Sequence, residues 1–212
     1  MAVKNIIFDF GGVICDIDIS LTEQAFIDLG IKPFKGEEAS AQRDLFFEQF
    51  ETGQISPPEF RSTLRMFFSN PVSDEDIDRA WNALLHKIPA NRISLLKKLQ
   101  SRYKLFLLSN TNPIHYQQYV QDLHENFGFH DFHGLFETAY FSHEIQLRKP
   151  SREVYEFVLN HAGIRGEETL FIDDDIRNTQ GAGKAGILAY HLKPDEDITE
   201  LFNTETQFLP IL

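Results

Sequence analysis

The sequence predicts an α/β protein: a doubly wound parallel sheet with helices on both faces and a helical insert after the first strand. Three observations carry this expectation. Four short apolar runs, at residues 3–8, 104–108, 170–172 and 187–191, end in polar or acidic residues or lead into them. Each is too short for a helix, and unbroken apolarity over a few residues marks a strand buried on both faces. Helical spacing of apolar residues precedes or follows these runs, at residues 91–102, 113–125, 151–162 and 178–185. Strand–helix alternation of this kind builds a parallel sheet through crossover connections. The third observation is a break in the alternation, because residues 18–86 contain no convincing strand.

Taken in order, the first strand stops at Asp9 and is followed by Phe10-Gly11-Gly12-Val13. The insert then opens on Ser20-Leu-Thr-Glu23, a capping-box pattern that predicts a helix start. Helical periodicity continues over residues 39–50, 57–68 and 74–86, punctuated by Gly53 and by Asn70-Pro71. Phe46, Phe47, Phe50, Phe60, Phe67 and Phe68 fall at helical spacings and are expected to form the interior of this insert. The expected division is a core of residues 1–17 and 88–212 and an insert of residues 18–87. No internal repeat or low-complexity stretch interrupts the chain.

Bulk properties narrow the function. The chain has 212 residues and a net charge of −12, which argues against nucleic acid as the main partner. A small anionic substrate remains compatible if a local site overrides the overall field. Cys15 is the single cysteine, so no internal disulfide forms. The N-terminus lacks a signal-peptide pattern, and no run approaches the ~20 apolar residues of a membrane span. The expectation is a cytoplasmic protein without membrane association and without an obligate protein partner.

In doubly wound sheets ligands sit at the carboxyl ends of the strands. Those ends here carry Asp9, Ser109-Asn110-Thr111-Asn112 and Asp173-Asp174-Asp175, and Lys149 lies in Arg148-Lys149-Pro150 before a helix. Carboxylates gathered in one place ionise only at a cost unless a cation offsets them. Mg²⁺ suits one or two carboxylates together with a substrate phosphate, and Lys149 adds a fixed positive charge. Such a set meets the needs of phosphoryl transfer: a carboxylate attacks, and cations offset the charge on the equatorial oxygens. Ser109 and Asn110 are placed to supply a hydroxyl and backbone amides to those oxygens.

These four segments, in this order, resemble the four motifs of haloacid dehalogenase-like hydrolases and span residues 9–178. The finer pattern is Asp-Phe-Gly-Gly-Val, Ser-Asn-Thr-Asn, Arg-Lys-Pro and Phe-Ile-Asp-Asp-x-x-x-Asn. It is similar to the branch holding bacterial α-glucose-1-phosphate phosphatases and the phosphatase domain of soluble epoxide hydrolase. The resemblance implies a Rossmann-like core with a helical cap and a Mg²⁺-dependent phosphatase acting on a small phosphorylated metabolite. It implies that Asp9 is nucleophile and metal ligand, with the residue 11 carbonyl and Asp174 as further ligands. Asp173 would orient metal-bound water or Lys149, while Ser109 and Lys149 would hold the phosphate.

One position departs from that pattern. Most phosphatases of this type carry an acid–base Asp two residues after the nucleophile, and Gly11 stands there. Three explanations stay open: a leaving group that needs little protonation, such as a sugar 1-phosphate; a substitute acid, with Asp16 and Asp18 nearest; or loss of turnover, leaving a phosphate- or partner-binding protein. A metal-independent 2-haloacid dehalogenase is a further alternative, disfavoured by the paired acids Asp173 and Asp174. A phosphoacceptor receiver domain is disfavoured by the insert. His115, His124, His130 and His133 fit no zinc spacing and are expected at the surface or in packing. Solvated helix faces account for Arg43, Arg61 and Arg65, a buried apolar role for Cys15, and either loop orientation or a helix start for Asn178.

Overall fold

The computed structural model describes residues 2–32 and 37–209, with backbone alone for residues 37–40. Met1, residues 33–36 and residues 210–212, which belong to the expected core and insert, lie outside the described residues.

Five parallel strands form one sheet: β1 (Asn5–Phe8), β2 (Lys104–Ser109), β3 (Thr138–Phe141), β4 (Thr169–Asp173) and β5 (Leu188–His191). Their spatial order is β3-β2-β1-β4-β5. The sheet is thus doubly wound, as expected, and the chain reverses its direction of travel between β1 and β4. That reversal opens the crevice in which such sheets bind ligands. Phe8 is in register with Ile172, and the Asp9 N–H donates to the Ile172 carbonyl at 2.9 Å. Asp9 and Asp173 therefore stand side by side at the carboxyl edge, on either side of the switch point.

Four of the five strands follow from the apolar runs. β3 is an addition to the expectation. It lies at the sheet edge and half of its residues are only half-buried, so Thr-Ala-Tyr-Phe lacks the continuous apolar signature of the inner strands. Alternation along the inner strands sorts the core into two layers. Ile6, Phe8, Leu105, Leu107, Leu170 and Ile172 pack against helices α5 (Ala90–Leu99) and α6 (Pro113–Phe127). Ile7, Phe106, Leu108 and Phe171 pack on the other face against α8 (Arg152–Ala162) and α9 (Ile176–Lys184). Each of these fully buried side chains contributes about 1.5–3 kcal/mol. A short helix α7 (Ser142–Ile145) follows β3.

Among the described residues the insert holds four α-helices: α1 (Ile19–Asp28), α2 (Glu37–Glu51), α3 (Pro57–Arg65) and α4 (Asp74–Trp81). They share a hydrophobic cluster in which Phe26, Phe50, Phe60, Leu64, Phe68, Ile77 and Trp81 are buried, with Phe46 and Phe47 packed against it and Ile114 of α6 completing it. The start of α1 differs from the expected box at Ser20. Asp18 is the N-cap, and its carboxylate accepts from the Ser20 N–H at 3.0 Å and the Ser20 hydroxyl at 2.6 Å. A charged acceptor two residues earlier takes the free N–H groups first. A full capping box does occur, between Ser56 and Glu59 at the start of α3. Arg61 pairs with Asp78 at 2.7 Å and Arg65 with Asp74, so both arginines brace the insert. No described helix is long and apolar enough to cross a membrane.

Candidate active site

Asp9 ends the loop-facing side of β1 because the chain turns there at once. The carbonyl of Phe10 accepts from the N–H groups of Ile14 and Cys15 at 2.8 and 2.9 Å, and Gly12 donates to the Cys15 carbonyl at 2.8 Å. These bonds leave the Gly11 carbonyl out. Gly12 adopts φ +74°, and a Cβ there would stand 2.3 Å from Asp174 Oδ2. Glycine is thus required at residue 12 for both its backbone and its lack of a side chain. The close approach locks the Asp174 carboxylate against the β1 loop.

Lys149 joins the two strand ends. Its Nζ lies 2.8 Å from Asp9 Oδ1 and 2.7 Å from Asp173 Oδ2, and the side chain is 1% exposed. Asp173 is fully buried, and its carboxylate also accepts from the Asp175 N–H at 2.8 Å and from Asn178 Nδ2 at 3.0 and 3.1 Å. With both oxygens engaged, Asp173 aims Lys149. Asn178 thus proves to orient the acidic loop. Asn110 clamps the lysine from the other side: its Nδ2 donates to the Lys149 carbonyl and its Oδ1 accepts from the Lys149 N–H, both at 2.9 Å. The Asn110 side chain is spent on this clamp, while its backbone N–H makes no hydrogen bond among the described residues. Ser109 is buried at the end of β2, and its hydroxyl also takes no partner among the described residues.

Charge at this edge is unbalanced. Burial holds the Asp9 carboxyl well above its ordinary value, repulsion from Asp173 adds to this, and Lys149 pulls it back only in part. Burial pulls the Lys149 ammonium down, but Asp9 and Asp173 together outweigh it and hold it above its ordinary value. Asp174 is raised by partial burial and then by Asp173. Its carboxylate makes no ion pair among the described residues. Oxygens of Asp9, Asp173 and Asp174 lie within 4.8 Å of one another. Three carboxylates against one ammonium call for a further cation, and an all-oxygen set suits a hard divalent ion such as Mg²⁺. The residues present therefore fit the metal: oxygens of Asp9 and Asp174 lie close together, the Gly11 carbonyl accepts no hydrogen bond among the described residues, and Asp173 is engaged by Lys149, Asp175 and Asn178.

Neighbouring candidates are committed elsewhere. Asp16 Oδ1 pairs with Arg92 at 2.7 Å, and Asp18 caps α1. Cys15 is buried, and its thiol is pushed up to about 12 by desolvation, so it is inert. His115 is a packing residue: its Nε2 donates to the Trp81 carbonyl at 3.0 Å and its Nδ1 accepts from Asn112 at 3.0 Å. Arg148 was not singled out from sequence. It reaches into the insert, with Nη1 3.1 Å from Glu48 and Nη2 3.0 Å from Glu51. Only the Arg-Lys-Pro context could have pointed to it.

A carboxylate, a lysine and an acidic pair thus converge at the switch point of a doubly wound sheet. Residues 3–186 match the family model of haloacid dehalogenase-like hydrolases. The chain belongs to that family. It is 30% identical over 176 residues to a D-ribitol-5-phosphate phosphatase of Bacteroides thetaiotaomicron, covering 83% of this chain and 85% of that one. A sesquiterpene phosphatase of Aspergillus oryzae is 27% identical over 191 residues, 89% of each chain. A crystal structure of a haloacid dehalogenase family enzyme from Bacteroides thetaiotaomicron, in complex with magnesium and inorganic phosphate, superposes with a TM-score of 0.86. It is 38% identical and covers 95% of this chain and all of that one.

Proposed function

We propose that this protein is a Mg²⁺-dependent phosphomonoester hydrolase that acts on a small phosphorylated metabolite through an aspartyl-phosphate on Asp9. The carrying observation is the Lys149 ammonium held between Asp9 and Asp173, with an unpaired Asp174 carboxylate beside Asp9. Lys149 lies where it offsets charge on a phosphoryl oxygen while Asp9 attacks the phosphorus. The Ser109 hydroxyl and the Asn110 N–H are free to donate to the remaining oxygens. Asp173, Asn110 and Asn178 keep Lys149 in line. Asp9, Asp174 and the Gly11 carbonyl would hold Mg²⁺, which supplies Lewis-acid stabilisation of the phosphoryl charge. Residues 18–87 act as the cap over the core formed by residues 1–17 and 88–212.

Two substrate classes divide the support. The Bacteroides relative, named for D-ribitol 5-phosphate, favours a primary phosphate of a small polyol. Gly11, faced by Ile17 and carrying no acid, favours a sugar 1-phosphate, whose anomeric oxygen leaves more readily. A dehalogenase would share Asp9 but has no use for the free Asp174 carboxylate. The test is turnover of both esters with Mg²⁺ and with a chelator. Wild-type protein is expected to release phosphate only with the metal, and Asp9→Asn to release none. Chloride release from 2-haloacids without metal, or Mg²⁺ binding without turnover of any phosphate, would overturn the reading.

A further inference from the structure

Hydrolysis of an alkyl phosphate leaves one chemical requirement without an owner in the site as described. An alkoxide is a poor leaving group, and a general acid that protonates it is worth about 10²–10⁴-fold. Among the described residues around Asp9, the one unpaired carboxylate, Asp174, is given to the metal in the reading above. Residue 11 is glycine, and a Cβ there would meet only Ile17, with Cδ1 at 3.4 Å and Cγ2 at 3.6 Å. Asp16 is more than half exposed and turned to Arg92, Asp18 is exposed and caps α1, and Asp173 is saturated beneath Lys149.

One carboxyl comes down from the insert instead. Glu51 is the last residue of α2, and its Oε2 lies 3.0 Å from Nη2 of Arg148, the residue directly before Lys149. The turn that follows is pressed onto the core: Gly53 has φ +68°, and a Cβ there would stand 2.3 Å from the His143 carbonyl oxygen. This contact fixes the end of α2 over the carboxyl edge of the sheet, above α7. Two further groups lie within electrostatic reach of Glu51. The charge of Lys149 reaches Glu51, adding weakly to the larger pull of Arg148. Tyr119, raised first by its burial, feels the charges of both Asp9 and Glu51, and its ring packs 4.4 Å from that of Phe10. Burial holds the Glu51 carboxyl above its ordinary value against the pull of Arg148, so it retains a proton more readily than a surface glutamate. Glu48, the other partner of Arg148, is half exposed and lies one turn earlier in α2.

We propose that Glu51 donates the proton to the leaving oxygen, taking the part that no residue of the β1 loop can play. The role rests on the phosphatase reading above. As the Asp9 carboxylate forms its bond to phosphorus, the ester P–O bond breaks, and its electron pair stays on the leaving oxygen, which takes the Glu51 proton. Water then attacks the aspartyl-phosphate and gives its proton to the Glu51 carboxylate, while the Asp9 carboxylate departs. The sum is ester plus water to alcohol plus phosphate, with both carboxyl groups restored.

The test compares Glu51→Gln with Glu48→Gln on D-ribitol 5-phosphate and on p-nitrophenyl phosphate, whose aryl oxide leaves without a proton. Glu51→Gln is expected to lose about 10²-fold or more in kcat/KM on the alkyl ester. On the aryl ester the loss stays within about 3-fold, because kcat/KM reports only the steps up to release of the leaving group. Glu48→Gln is expected to stay within that same margin on both. Equal losses on the two esters would reduce Glu51 to a latch for Arg148, and no loss on either would remove it from the reaction. In both cases the phosphatase reading stands, because the wild type turns over. Failure of the wild type on both esters and on a sugar 1-phosphate would instead remove the phosphatase reading, and the donor role with it.

Discussion

Two adjacent glycines follow Asp9, and the structure predicts opposite fates for them on substitution by alanine. At residue 12 the backbone sits at φ +74°, where an L-residue costs about 1–2 kcal/mol. The added Cβ would also stand 2.3 Å from Oδ2 and 2.5 Å from Cγ of Asp174, so the carboxylate has to move. For a domain of this size each kcal/mol shifts the melting temperature by about 2–4 °C, which gives a fall of roughly 2–8 °C. Displacing a ligand or its support typically weakens metal affinity by about 10–100-fold. At residue 11 the new methyl would meet Ile17 at 3.4 and 3.6 Å, an ordinary contact, on backbone without positive φ. Gly11→Ala is therefore expected to be neutral or to stabilise by about 0.4–1 kcal/mol through the unfolded chain. Thermal unfolding in chelator and turnover against Mg²⁺ concentration separate the two effects. Gly12→Ala with wild-type Mg²⁺ dependence, or Gly11→Ala as damaging as Gly12→Ala, would refute the packing argument.

Other consequences concern buried charge. Lys149→Met strands Asp9 and Asp173 without their ammonium and is expected to cost about 3–5 kcal/mol in denaturant unfolding with chelator, with Mg²⁺ restoring part of it. Unchanged stability would show that the carboxyls protonate at no cost. His115 gives a pH dependence with a definite sign. Burial lowers it from 6.5 to about 4, so the unfolded chain takes up a proton first as the pH falls. Its contribution is complete above pH 6.5 and is lost towards pH 4, at about 1.4 kcal/mol per pH unit and about 3 kcal/mol in all. His115→Phe should be less stable at pH 7, with the Trp81 carbonyl unpaired, yet flatter across that window in urea titrations; an unchanged slope would assign the pH dependence to other groups.

Sequence alone determined the identity and chain order of the central groups. Asp9, Ser109 and Asp173 each close a short apolar run, and a residue that ends a buried parallel strand has to emerge at the carboxyl edge. That signal is local, as are the Lys-Pro context of Lys149 and the apolar spacings of the insert. The tertiary structure decided which groups meet. It put β1 between β2 and β4, set Asp9 beside Asp173, and added β3, whose edge position leaves a weaker apolar pattern. It spent the Asn110 side chain on the Lys149 backbone and bound Asp16 to Arg92, 76 residues away. It also brought Glu51 from the insert to Arg148. Such pairings depend on contacts between distant segments, to which the periodicity of a single strand or helix is blind. Gly11 shows the division most clearly: the sequence exposed a missing carboxylate, and only the tertiary structure pairs Glu51 of α2 with Arg148, next to Lys149.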